Sequence, residues 1–235
     1  MNLLLLLPED LLDSGRARLT GRLLAHVREV HRAKVGDDLV VGLLGGSMGR
    51  GRVLRLDDDV LELALSLDQA PPPKLPLTLV IAVPRPKVLN RVVAAAASLG
   101  VARIVLLNAW KVEKAYWASP KMKPESLREQ LVLGLEQAKD TVLPELQLAR
   151  LFRPFVEDEL PRLLAGGTGL VAHPGCGGTP PKPLVTPVTL AIGPEGGWID
   201  AEVQSLLIAG LLPLDLGPRI LRTETALAAL VGRLF

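Results

Sequence analysis

The chain has 235 residues, 49% of them apolar and 22% charged, and a formal net charge of +2. That balance supports a packed core in one large domain or two unequal ones, excludes global disorder, and does not by itself announce a nucleic-acid partner. A single cysteine, Cys176, excludes an internal disulfide, and His26, His31 and His173 lack the spacing of a metal motif, so no metal is expected.

Residues 3–7 open the chain as an apolar run. It has no basic leader and is followed at once by Pro8, Glu9 and Asp10, which predicts a buried strand rather than a signal peptide. No stretch approaches the roughly 18 continuous apolar residues of a membrane span, and the expectation is a soluble, cytoplasmic protein without a membrane partner. Short apolar runs at 38–44, 51–56 and 60–67 are predicted strands, punctuated by Gly45-Gly46, Gly49, Gly51 and the acidic turn at 57–59. A helical segment over 22–30 interrupts them. Together they predict a small barrel-like or half-barrel module. Pro71-Pro72-Pro73 supports neither helix nor sheet, and the boundary is placed there: residues 1–72 form one domain and 73–235 another.

Beyond the prolines the pattern changes to alternating strands and helices. Strands are predicted at 77–83, 103–107, 168–172, 188–192 and 212–216. Helices are predicted at 87–99, ending at Gly100, at 125–139 with Leu127, Leu131, Leu135 and Ala138 on one stripe, and at 200–209 and 224–234. Such alternation means an α/β domain with a mostly parallel sheet, whose ligands bind at the carboxyl ends of strands.

Charge is unevenly spread. Residues 1–70 hold nine Lys/Arg against eleven Asp/Glu, whereas residues 103–128 hold six basic residues against two acids. Trp110, Tyr116 and Trp117, three of the chain's seven aromatics, sit in that basic stretch. A solvated face and an RNA-contacting loop are both compatible with it.

Two strand–turn–helix junctions carry the chemistry. Ile192-Gly193-Pro194-Glu195-Gly196-Gly197-Trp198 turns sharply before a helix that Asp200 is expected to cap. It matches neither dinucleotide nor P-loop patterns, and spacing alone leaves a structural turn and a ligand loop both open. Leu214-Asp215-Leu216-Gly217-Pro218-Arg219-Ile220-Leu221-Arg222-Thr223-Glu224-Thr225-Ala226 is the second. Thr223 reads as an N-cap and Glu224 as a first-turn acid, but Arg219 and Arg222 sit near the positive end of a helix, where an anionic partner would offset their charge.

These two segments resemble the RsmE family, whose members methylate N3 of a uridine in 16S ribosomal RNA. Residues 26–37 (HVREVHRAKVGD) are similar to that family's amino-terminal segment, and Leu99-Gly100-Val101, Glu136-Gln137 with Pro144, and His173-Pro174 also match it. The resemblance implies a SPOUT-class α/β domain with a deep trefoil knot, a small PUA-like RNA-binding β-domain ahead of it, and a homodimer. It implies S-adenosylmethionine as cofactor and small-subunit ribosomal RNA as substrate. Carried over by position, the cofactor residues are Leu170, His173, Gly193, Glu195, Gly196, Gly197, Leu216, Gly217, Ile220, Leu221, Thr223 and Ala226. Arg219, Arg222 and Glu224 are the catalytic candidates. Each Glu competes with a plain helix-dipole or backbone-bonding role, and His173 with a structural one. Arg28, Arg32, Lys111, Lys114, Trp117, Lys121 and Lys123 are assigned to RNA. Cys176, in the Gly/Pro-rich stretch 174–183, is read as incidental. The chain departs from the family at Ala95 and Ser98, where the family favours Lys-x-x-Glu-Leu-Gly, and at Asp140, where it supplies an arginine.

Overall fold

A computed structural model of the chain describes residues 2–13, 15–178, 184 and 186–235. The last part of the Gly/Pro-rich stretch, 179–183, lies outside the described residues. The chain folds as two compact units, Met1–Pro73 with Val132–Leu143, and Lys74–Leu131 with Pro144–Phe235.

The first unit is a six-stranded sheet in the order β1-β4-β5-β6-β3-β2. Its strands are β1 (Leu4–Leu6), β2 (Leu11–Asp13), β3 (Arg16–Leu19), β4 (Asp38–Leu43), β5 (Met48–Leu56) and β6 (Leu61–Gln69). β1 pairs with β4 in parallel and the other pairs are antiparallel. The unbroken leucine run at the start has a direct cause. Leu4 and Leu6 pack in the main core with Val27, Val41, Leu61 and Leu63, while Leu3 and Leu5 pack in a second cluster with Leu135. A strand buried on both faces has no polar face to alternate with. Helix α1 (Gly21–His26) runs into a π-helical turn, Val27–His31, over the predicted helical segment. The β2–β3 hairpin was not predicted, although Arg16-Ala17-Arg18-Leu19 alternates exposed and buried. Gly49 is required by crowding: a Cβ there would lie 1.9 Å from the Ser66 carbonyl oxygen.

The second unit holds an all-parallel six-stranded sheet in the order β12-β10-β11-β7-β8-β9. The strands are β7 (Leu75–Ala82), β8 (Val101–Leu107), β9 (Glu145–Ala149), β10 (Thr168–Ala172), β11 (Val188–Ile192) and β12 (Leu212–Leu214). Leu79, Val80, Ile81 and Ala82 are all fully buried, the burial that a central parallel strand covered on both faces requires. Helix α2 (Pro86–Ser98) begins at a proline that fixes φ without costing a hydrogen bond, and stops at Gly100, whose φ is +76°. It packs against the last helix, α8 (Thr223–Leu234). Leu227, Leu230, Val231 and Leu234 of α8 are buried, each contributing about 1.5–3 kcal/mol. Short α3 (Lys114–Trp117) precedes α4 (Pro124–Ala138), whose last turns belong to the first unit. Strand β9 and the helical run α5 (Phe152–Pro154), a π-helical turn and α6 (Leu160–Leu164) were not predicted; Pro154 and Pro161 interrupt their periodicity. Helix α7 (Asp200–Ile208) follows β11.

Two caps differ from expectation. Ile199, not Asp200, is the N-cap of α7, and the Glu202 carboxylate reaches back to accept from the Ile199 N–H at 3.0 Å. Arg222 is the N-cap of α8, which leaves Thr223 as its first helical residue, 5% exposed.

Candidate cofactor cleft and basic–aromatic groove

The carboxyl ends of β10, β11 and β12 (Ala172, Ile192 and Leu214) open into a cleft of about 510 Å³. Three connections wall it: 173–174, 193–198 and 215–223. This is where a parallel sheet places ligands. Ile192, Leu214, Leu216 and Leu230 supply apolar lining, and the glycine turns bring backbone to the surface. Gly197 and Gly217 have φ of +70° and +100°, with no heavy atom within 4 Å of where a Cβ would stand. Only glycine adopts such angles without strain, and the space beside both is open.

Asp215 organises the mouth of the cleft. Its carboxylate accepts from the Gly217 N–H at 2.8 Å and the Gly175 N–H at 2.9 Å, so one side chain ties two walls together. Those backbone donors, Gly217 first, hold its carboxyl below the usual aspartate range. Lys111 reaches the same cleft, its Nζ donating to the Gly196 carbonyl at 2.7 Å. A Cβ on Gly196 would meet the Lys111 Cδ at 2.9 Å. Trp198 is 3% exposed, yet its indole nitrogen and His173 Nδ1 lack hydrogen-bond partners among the described residues. Buried polar atoms without partners are costly unless a ligand or water supplies them. Cleft size, apolar lining and orphaned polar atoms together fit a nucleoside-sized ligand with polar and apolar parts.

Of the residues assigned to a cofactor from sequence, His173, Gly193, Glu195, Gly196, Gly197, Leu216, Gly217, Ile220, Leu221, Thr223 and Ala226 line this cleft. Leu170 does not; it is fully buried within β10. Arg219 and Arg222 line it too, both exposed and without an ion-pair partner among the described residues. Glu224 stands outside the lining, its Oε1 accepting from Arg91 Nη2 at 3.1 Å. Glu195 lines the cleft with Oε1 committed to the Arg85 N–H at 2.9 Å. Sequence reasoning missed Asp215 and Trp198. An Asp just before a Gly-Pro turn is the usual acceptor for the turn's own backbone, which was a usable signal; nothing in the sequence marked the indole.

Lys114 and Trp117 line a second groove of about 690 Å³ with Asn108, Trp110, Arg150, Phe152 and Arg153. Lys121 and Lys123 are exposed but line neither. Arg28 and Arg32 belong to the first unit, where both are exposed and Arg28 pairs with Asp58 at 2.6 Å. Cys176 donates to the His173 carbonyl, and burial, with the Asp215 charge behind it, pushes its thiol up, which keeps it protonated and unreactive. Among the described residues no group of three or more His, Cys, Asp or Glu is placed to hold a metal ion, and no helix is long and apolar enough to cross a membrane.

A family model of the RNA methyltransferase domain matches residues 71–234. The chain belongs to that family. The ribosomal RNA small subunit methyltransferase E of Treponema pallidum is 28% identical over 87% of this chain and 79% of its own length. That of Synechocystis is 28% identical over 95% and 73%. These relatives bear out the RsmE resemblance read from residues 193–197 and 216–226. A Legionella pneumophila structure in complex with the bound cofactor SAM is 26% identical, with a TM-score of 0.74 over 98% of this chain and 95% of that one. The ribosomal RNA small subunit methyltransferase E of Neisseria gonorrhoeae, bound to S-adenosyl methionine, has a TM-score of 0.77 over 99% and 95% at 22% identity, a likeness of fold. The mixed α/β fold is that of this methyltransferase group.

Proposed function

We propose that the chain is an S-adenosylmethionine-dependent methyltransferase acting on N3 of a uridine in small-subunit ribosomal RNA. The observation that carries this reading is the glycine-walled cleft at the ends of β10, β11 and β12, built from the two segments that resemble the RsmE family. Relatives and the SAM-bound likeness support it. In this reading the second unit is a SPOUT domain with a trefoil knot, the first is a PUA-like RNA-binding β-domain, and two chains pair through their carboxy-terminal domains.

The cofactor supplies an activated methyl group on a positively charged sulfonium. This chain's work is to position and to manage charge. The backbone at Gly193, Gly196, Gly197 and Gly217 allows close approach, while Ile192, Leu214, Leu216 and Leu230 exclude water. Uridine N3 carries a proton and is a poor nucleophile until it is lost. Arg219 and Arg222 hold the resulting uracil anion or its phosphate. Of the two acids considered, Glu195 lines the cleft and is the proton acceptor in this account; Glu224 serves Arg91. Arg28, Arg32, Lys111, Lys114, Trp117, Lys121 and Lys123 bind RNA.

A non-catalytic RNA-binding or assembly factor on the same scaffold is the competing reading, prompted by Ala95, Ser98 and Asp140. In the structure Ser98 Oγ donates to the Ala95 carbonyl at 2.9 Å, and Asp140 accepts from the Val142 N–H at 2.9 Å. These are local backbone roles. Calorimetry separates the readings: the account expects one S-adenosylmethionine per chain without added metal, and a dimer by light scattering. Gly217→Ala, forced to a φ of +100°, should weaken that affinity through strain of about 1–3 kcal/mol. Wild-type protein that binds no cofactor would leave the assembly-factor reading standing.

A further inference from the structure

The proposed function assigns Lys114 and Trp117 of the groove beside the cleft to RNA but does not say what the groove holds. We propose that it is a nucleobase subsite, which holds one unstacked nucleotide of the RNA next to the nucleotide in the cleft. The proposal rests on the RNA methyltransferase reading and deepens it.

Trp110 is 79% exposed, although large apolar side chains normally find cover. Its backbone is nonetheless fixed. The Trp110 N–H donates to Glu202 Oε1 at 2.7 Å, and the other Glu202 oxygen accepts from the Ile199 N–H. Glu202 is 6% exposed, so a buried carboxylate anchors the backbone from which the exposed Trp110 indole projects. Trp117 is held as well: its Nε1 donates to Asn108 Oδ1 at 2.8 Å, and the Arg150 guanidinium lies 4.9 Å from its ring centroid. A side chain fixed before binding, as Trp117 is, loses little entropy on binding.

Charge selects the ligand class. Lys114, Arg150 and Arg153 line the groove, and its one acid, Glu202, spends both oxygens on backbone donors. Arg153 pairs with Glu157 at 2.6 Å, but both side chains are largely exposed and the pair is weak. A free aromatic face among cations is the chemistry that binds single-stranded RNA, with bases stacking and phosphates neutralised. The volume suits a nucleotide.

Position selects which nucleotide. Trp198 lines the cleft and its ring centroid lies 6.1 Å from that of Phe152, which lines the groove. Lys111 lines the cleft, while its chain neighbours Trp110 and Val112 line the groove. One wall of side chains separates the two, so adjacent nucleotides of one strand can occupy both.

The test measures binding of a short, unstructured, uridine-rich RNA to the full chain, beside the same RNA carrying abasic residues. Trp110→Ala should weaken binding of the intact RNA about 5- to 150-fold, with an unchanged salt slope. Trp110→Phe should restore most of it, and the abasic RNA should not distinguish wild type from Trp110→Ala. Arg153→Ala should lower the log–log salt slope by roughly 0.7. Retained cofactor affinity confirms that the variants fold. Wild-type RNA affinity in both alanine variants, with methyl transfer by the wild type intact, overturns the subsite alone. Dissociation of a dimer by Trp110→Ala also overturns it, because the groove would then cover a second copy. Wild-type protein that binds no RNA overturns the subsite and the reading beneath it.

Discussion

Asp215 shows how one side chain can organise a site without touching chemistry. Its two oxygens join the 173–178 and 215–218 connections through backbone donors, and those donors lower its pKa in doing so. A carboxylate with a lowered folded pKa stabilises the protein fully above its unfolded value, near ~3.9, and that contribution disappears as pH falls through the lower folded value. Wild type should therefore unfold at higher temperature than Asp215→Asn at pH 7, and the gap should close progressively below about pH 4. A gap that stays constant down to acid would show that the charge is not what holds the loops. At this scale the sequence was legible where backbone conformation dictates residue type. Gly197 and Gly217 read directly as turn positions, and both have positive φ; at Gly193 and Gly196 it is crowding by Trp198 and Lys111 that leaves little room for a Cβ. It was least legible where a role depends on a distant partner: Glu195 on the Arg85 N–H, Glu224 on Arg91, and Glu202 on the Trp110 N–H.

Helix α4 shows why elements are easier to find than to place. Its stripe of Leu127, Leu131 and Leu135 predicted the helix and its buried face. Periodicity does not say that Leu135 packs with Leu3 and Leu5, so that the last turns join the first unit. Glu136, matched to the family by position, is 1% exposed and accepts from both Arg22 terminal nitrogens, at 2.7 and 3.0 Å. Removing one member of such a pair strands a buried charge, and the half-exposed position of Arg22 moderates the cost. Arg22→Met should lower stability by about 1–3 kcal/mol in denaturant unfolding. No measurable loss would mean that the carboxylate is satisfied by other donors. Strands β2, β3 and β9 escaped prediction because charged or polar residues break their apolar runs, and the 152–164 helical run because two prolines interrupt it; each depends on neighbours in space more than on local propensity.

The change from short glycine-punctuated strands to alternating strands and helices, with three prolines between, was legible at the scale of the molecule because the two patterns have different periods. The return of 132–143 to the first unit was not, since it is a matter of packing in space rather than composition. Nor could charge have named the substrate class: the net charge is +2, and of the basic residues assigned to RNA from sequence only Lys114 lines the groove, beside Arg150 and Arg153. In the proposed function, both scales serve the methylation of one base of a large RNA. Nucleoside mass spectrometry of small-subunit ribosomal RNA incubated with the protein and methyl-labelled S-adenosylmethionine tests this most directly. Labelled 3-methyluridine, dependent on the protein and reduced by Gly217→Ala, is the expected product. RNA that acquires no label, or label confined to another position such as a ribose 2′-hydroxyl, would contradict it.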